Sequence, residues 1–292
     1  MQSFVQNKFL VPFDGTFNIA QTHTAADEYE EVPSKKTCKK QLKKIVAEID
    51  ALQQMMYAHD HHSILLVFQA MDAGGKDSTI RAVTRGLNPA GCQVHSFKKP
   101  SANELDHDFL WRTNKALPER GRIGIFNRSH YEEVLVARVH PDIITSQRIP
   151  DVDSETIWQE RYDSINGMEK HIANNGTVVI KFWLNVSKEV QKTRLIARLD
   201  KPAKHWKFSE ADIDQRAYWD SYMRAFEKAL KETSRPWAPW YAIPADNKPF
   251  MRLKVAEIIL ETMRSLELHN PTVDDAEKSR FEDYRNRLID EP

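Results

Sequence analysis

Ten residues, Gln69-Ala70-Met71-Asp72-Ala73-Gly74-Gly75-Lys76-Asp77-Ser78, hold two adjacent glycines, a lysine, two aspartates and a hydroxyl. A glycine pair lets the backbone turn tightly. The N–H groups of Ala73, Gly74, Gly75, Asp77 and Ser78 would then face an anion, and the lysine would reach a transferring phosphate. The usual phosphate-loop pattern is G-x-x-x-x-G-K-[ST]. Here Ala70 replaces the first glycine, and Asp77 stands where a metal-binding hydroxyl is usual. Asp72 places a carboxylate inside the loop. An acid there repels phosphate unless a divalent cation stands between them or the acid meets an acceptor's proton. The plainer reading is a glycine turn joining a strand to a helix, with Asp72 or Asp77 as its cap.

A second group follows at Phe126-Asn127-Arg128-Ser129-His130-Tyr131. In phosphate-loop enzymes a neighbouring strand commonly ends in an acid that helps hold magnesium. Asn127 takes that place as a neutral ligand able to orient a metal-bound water, and Arg128 can clamp phosphate oxygens. His130 and His140 read as satisfied polar residues. Further on, Arg194 and Arg198 lie four apart on one helix face. They precede Lys204-His205-Trp206-Lys207-Phe208-Ser209, a basic and aromatic segment suited to a lid that excludes water. Its plainer reading is a solvated helix face with core tryptophans.

These groups need elements to hold them. The apolar run at 63–69 reads as a buried strand emptying into the glycine loop, with an amphipathic helix at 79–87 behind it. Further strands are expected at 94–97, 123–126, 178–186 and 240–243. Helical segments are expected around 42–56, 103–117, 130–139, 154–175 and 187–199, and loops at 101–103, 118–121 and 145–153. Strands alternating with helices imply an α/β fold with a mostly parallel sheet covered on both faces. Ligands then bind beyond the carboxyl ends of the strands. Residues 1–34 read as an extended N-terminal arm, 35–272 as the main domain with a lid at about 200–225, and 273–292 as a charged tail.

Composition sets broad limits. The 292 residues carry 42 basic and 42 acidic side chains, for a formal charge of zero. That balance argues against a general nucleic-acid binder and permits a local basic groove. Cys38 and Cys92 form no spaced framework, as expected for reduced thiols. With no apolar run long enough to span a bilayer and no signal-peptide pattern, no membrane role and a cytoplasmic location are expected.

The 70–80 block, the 126–132 block, Trp206-Lys207-Phe208-Ser209 and Ala238-Pro239-Trp240-Tyr241-Ala242-Ile243-Pro244-Ala245-Asp246-Asn247-Lys248 together resemble the polyphosphate kinase 2 family. The resemblance covers roughly 35–268, and Ala70 and Asn127 suit its class III branch. It implies a three-layer α/β/α sandwich similar to thymidylate kinase, with a helical lid. It also implies transfer of phosphoryl groups from inorganic polyphosphate to AMP and ADP. Asp72, Lys76, Asn127 and Arg128 would then be catalytic. Magnesium, or manganese in its place, would sit on Asp72 and Asn127, directly or through water. Arg194 and Arg198 would reach in from the lid, and Arg81, Lys98, Lys99 and Arg112 would line a track for the polyanion. A homodimer or homotetramer is also implied. Two rival readings are an ATP-dependent nucleotide or nucleoside kinase and a non-catalytic polyphosphate or nucleotide sensor.

Overall fold

The computed structural model describes residues 4–291; Met1, Gln2, Ser3 and Pro292 lie outside the described residues. The chain runs α1 (Lys35–His59), β1 (Ser63–Gln69), α2 (Lys76–Val83), β2 (Cys92–Ser96), β3 (Ile123–Asn127), α3 (Glu132–Val139) and α4 (Ile157–Asn174). It continues with β4 (Thr177–Asn185), α5 (Lys188–Leu199), α6 (Trp219–Thr233), β5 (Trp240–Pro244), α7 (Lys248–Arg264) and α8 (Phe281–Ile289). The five strands form one sheet in the order β2-β3-β1-β4-β5, and every pair is parallel. β1 is buried along its whole length, as the middle strand of a doubly covered parallel sheet must be. Helices α1, α2 and α7 pack together as one layer and α3, α4 and α6 as the other.

The register brings the site together. Phe68 of β1 lies opposite Asn127 of β3, which in turn lies opposite Ser96 of β2. The glycine loop, Asn127-Arg128 and the segment leaving β2 therefore open at the same sheet edge. The helix expected at 103–117 is instead two single turns, Ala102–Leu105 and Trp111–Asn114. Ser101 and Glu104 form a capping box that starts the first turn inside an expected loop. Asp108 accepts from Leu110 N (2.9 Å) ahead of the second turn, so capping chemistry divides the segment.

Within the N-terminal arm, residues 9–11 pair with the sheet's outer strand, β5. Val11 N donates to Trp240 O (2.9 Å), Ala242 N donates to Phe9 O (2.8 Å), and Phe9, Val11 and Phe17 are buried in the core. The arm thus covers an edge that would otherwise offer free backbone groups to another chain. Among the described residues, no helix is long and apolar enough to cross a membrane.

Polar groups also occupy the core. Lys181 of β4 donates to Glu169 Oε2 (2.5 Å), the Tyr131 hydroxyl (2.7 Å) and Thr233 O (2.8 Å). Tyr131 donates to Glu169 Oε1 (2.9 Å), and His130 Nε2 lies 3.5 Å from the same oxygen. All four side chains are fully buried. Burial pulls Lys181 down to about 8 although Glu169 favours its charge. Burial opposes the Glu169 charge, but Lys181 and His130 outweigh it and hold the carboxyl below its usual range.

Glu169→Ala strands the Lys181 ammonium and should cost about 3–5 kcal/mol at pH 7. Glu169 raises the Lys181 pKa, so without it the value falls further below 8, and the loss relative to wild type shrinks as pH rises to about 8 and levels off above it. Urea denaturation at pH 7 and pH 9 checks both points: the loss should be clearly smaller at pH 9. An equal loss at both pH values would show that Lys181 carries no stranded charge.

Candidate active site

The glycine loop is built for close approach. A Cβ on Gly74 would lie 2.7 Å from both Ala70 Cβ and Met71 O, and Gly75 sits at φ +115°. Thr79 N, Ser78 Oγ and Thr79 Oγ1 all donate to Gly75 O at 3.0 Å, fixing the first turn of α2 beneath the loop. From the other side, the Arg194 guanidinium donates to the carbonyls of Ala73 (3.2 Å), Gly74 (2.9 Å) and Ala245 (2.6 Å). Arg194 therefore braces the loop from behind, and its geometry is that of a positioning residue.

Lys76 is buried, and its ammonium donates to Ala70 O (2.7 Å). The loop wraps around it because the carbonyl left at the end of β1 needs a donor. Burial and then Arg128 depress its pKa, while Asp72, Glu132 and Asp77 work the other way. Arg128 leaves β3 in the left-handed region at φ +64°, a costly conformation for a side chain with a Cβ. The turn places its guanidinium between Asp72 (2.6 Å) and Glu132 (2.9 Å). Glu132 above all, and then Asp72, hold Arg128 charged against burial.

Asn127 Nδ2 donates to Asp77 Oδ1 (2.9 Å), and Lys207 reaches Asp77 Oδ2 from the lid at 3.4 Å. Burial opposes the Asp77 charge, but the Asn127 bond and Lys207 outweigh it and hold the carboxyl low. The lid consists of short turns at Pro202–Lys207, Ala211–Asp214 and Gln215–Tyr218 leading into α6. Arg198 pairs with Asp212 across it at 2.6 Å. Asp212 is raised by burial and by Asp72, with Arg198 and Arg128 pulling the other way.

These residues enclose a cavity of about 520 Å³. Its walls carry eight cations (Lys76, Lys98, Arg128, Arg194, Arg198, Lys204, Lys207 and Lys248) against three acids (Asp72, Asp77 and Asp212). On a chain of zero formal charge, that excess is a focused receptor for a polyanion.

The polyanion track expected from the sequence is not assembled as a unit. Lys98 lines the cavity; Lys99 and Arg81 are exposed and do not. Arg112 is buried, donates to Lys98 O (2.7 Å) and lies 3.7 Å from Glu133. It faces a separate cavity of about 330 Å³ that also includes Phe109, Ile149 and Arg161.

The polyphosphate kinase 2 family model matches residues 32–271. The chain belongs to the polyphosphate kinase 2 family. It is 53% identical over 246 residues to an ADP-polyphosphate phosphotransferase of Rhodopseudomonas palustris, a match covering 84% of this chain and 85% of that one. It is 44% identical over 223 residues to an AMP/ADP-polyphosphate phosphotransferase of Meiothermus ruber, covering 76% and 80%. The crystal structure of polyphosphate kinase 2 from Arthrobacter aurescens TC1 superposes with a TM-score of 0.85 at 33% identity, covering 99% of this chain and all of that one. The α/β/α phosphate-loop kinase fold is thus shared across the whole chain.

Phosphoryl transfer on such a scaffold uses a divalent cation to neutralise phosphate charge. Among the described residues, no three His, Cys, Asp or Glu side chains form a metal cage. Magnesium, however, is usually held by one or two carboxylates together with substrate phosphates. Asp72 and Asp77 line the cavity, and Asn127 keeps a carbonyl oxygen free while its amide serves Asp77. This oxygen set fits a hard divalent cation.

Sequence reasoning missed Glu132, Asp212 and Lys248 as site residues. Glu132 carried a local signal in its spacing of four from Arg128, and Lys248 in closing the Ala238–Lys248 block; Asp212 carried none.

Asn127→Asp replaces the hydrogen bond to Asp77 with two facing carboxylates. Like charges raise a carboxyl pKa, and a raised folded value removes stability as pH climbs above the usual carboxylate range. The variant should melt below wild type at pH 7, close to it at pH 4, and gain more than wild type from added magnesium. Differential scanning calorimetry with and without magnesium reads this; equal gains would remove the cation from this pair of side chains.

Proposed function

We propose that this chain moves a phosphoryl group from inorganic polyphosphate to AMP and to ADP, giving ADP and ATP. The cationic cavity built over the glycine loop carries this reading: its charge excess matches a polyanionic donor better than a single nucleotide triphosphate. The names of the Rhodopseudomonas and Meiothermus relatives support ADP and AMP as acceptors. An oxygen of the acceptor's terminal phosphate attacks the end phosphorus of the donor chain. The P–O bond to the next phosphate breaks, and the shortened chain leaves with the electron pair.

The protein's task in this reaction is positioning and charge neutralisation. Lys76 and Arg128 balance charge on the transferred group, and Asp72 orients Arg128 through their ion pair. Asp72 and Asn127, with Asp77 beside them, would hold magnesium, or manganese in its place, and the ion would screen the phosphate oxygens when bound. Segment 200–225 acts as the lid that excludes water. A homodimer or homotetramer in the cytoplasm belongs to the same proposal, and light scattering on the purified protein measures the assembly.

Incubating the protein with AMP, long-chain polyphosphate and magnesium, without ATP, should yield ADP and then ATP. Turnover only when ATP is supplied would favour an ATP-dependent kinase, and binding without turnover would favour a sensor. Lys76→Ala and Asp72→Asn should each lower kcat by about 10²-fold or more with the circular dichroism spectrum unchanged. Near-normal turnover in Lys76→Ala would remove the loop from the reaction.

A further inference from the structure

A second basic groove shares two lining residues with the cavity over the glycine loop. Arg194 and Lys248 line both, and the groove, of about 660 Å³, lies between α1, α5 and α7. That groove adds Lys35, Lys39 and Arg252, and Asp246 is the only acid among its lining residues. The Asp246 carboxylate is already engaged, accepting from Ser187 N and from Thr24 Oγ1, each at 2.8 Å. The first turns of α1 and α7 both open onto the groove, so two helix dipoles add positive potential.

We propose that this second groove carries the distal part of the polyphosphate donor, the phosphates beyond the one being transferred. The inference rests on the donor assignment above and extends it to a chain longer than the catalytic cavity can hold.

Three observations support it independently of that assignment. Burial first and then four nearby cations, Arg194, Arg252, Lys204 and Arg198, pull the Lys248 ammonium down to about 8. A bound anion would offset that repulsion. The Arg252 Nε is buried with no hydrogen-bond partner, a donor that a phosphate oxygen would satisfy. The groove's apolar lining is Leu42, Val190 and Pro249, with no aromatic face on which a base would stack. Repeated point charges along a groove suit a repeating anion.

The test compares short-chain polyphosphate of a few units with long-chain polyphosphate as donors to AMP. On this proposal a long chain occupies both the cavity at Lys76 and the groove at Lys39, and a short one the cavity alone. Lys39→Glu should therefore raise KM for the long donor about fivefold relative to its effect on KM for the short one, and Arg252→Gln should act in the same direction. Binding of long-chain polyphosphate to either variant should also depend less steeply on salt than in wild type, because fewer counterions are released. Lys39 is exposed on the second turn of α1, so its replacement leaves the core intact even if Arg252→Gln does not fold. An unchanged ratio of the two KM values in Lys39→Glu, with an unchanged salt slope, would overturn the groove as a donor track. Failure of the wild type to transfer from either donor would overturn the donor assignment instead. Direct binding of long-chain polyphosphate to wild type and Lys39→Glu would still decide whether the groove holds it.

Discussion

The buried ammonium of Lys181 is the interaction on which the geometry of this protein depends. It joins β4 to α4 through Glu169, to the turn before α3 through Tyr131, and to the end of α6 through Thr233. A buried ion pair is weak evidence for net stability, because desolvation cancels much of the attraction. Its use here is to fix register. Tyr131 stands three residues beyond Arg128, so the same bond that satisfies Lys181 anchors the segment that holds Arg128 in its left-handed turn. A strained backbone persists only where its surroundings over-determine it, and this network supplies that constraint.

From that anchor the active site follows as a problem of charge. Acids at Asp72 and Glu132 aim Arg128, and Asn127 and Lys207 hold Asp77. Arg194 spends its donors on loop carbonyls, so it shapes the cradle more than it meets the ligand. What is left over is positive, contributed by the lid and by the start of α7. A protein of zero formal charge can in this way concentrate one sign at the carboxyl edge of its sheet. Segment 200–225 meets the body through the ion pairs Arg198–Asp212 and Lys207–Asp77 and, at its far end, through the buried rings of Trp219 and Tyr222.

The amino-acid sequence by itself determined the α/β class, the five strands and the phosphate loop. These features are local: an apolar run, a glycine pair and a lysine follow one another along the chain, and hydrophobic period separates strand from helix. That Asp72, Lys76, Asn127 and Arg128 meet at one cavity was legible for the same reason, each lying in a short block at the end of a strand. The single helix expected at 103–117 was not correct, because side-chain caps at Ser101 and Asp108 outweighed the periodic pattern. Only the tertiary structure decided that Lys76 turns inward, that Arg194 braces the loop, and that Arg112 belongs to another cavity. It alone placed Lys248, Arg252 and Lys39 on one basic groove, although Lys39 and Arg252 stand more than two hundred residues apart in sequence. Charges carry no periodicity, and their partners are set by which helices the parallel sheet brings side by side.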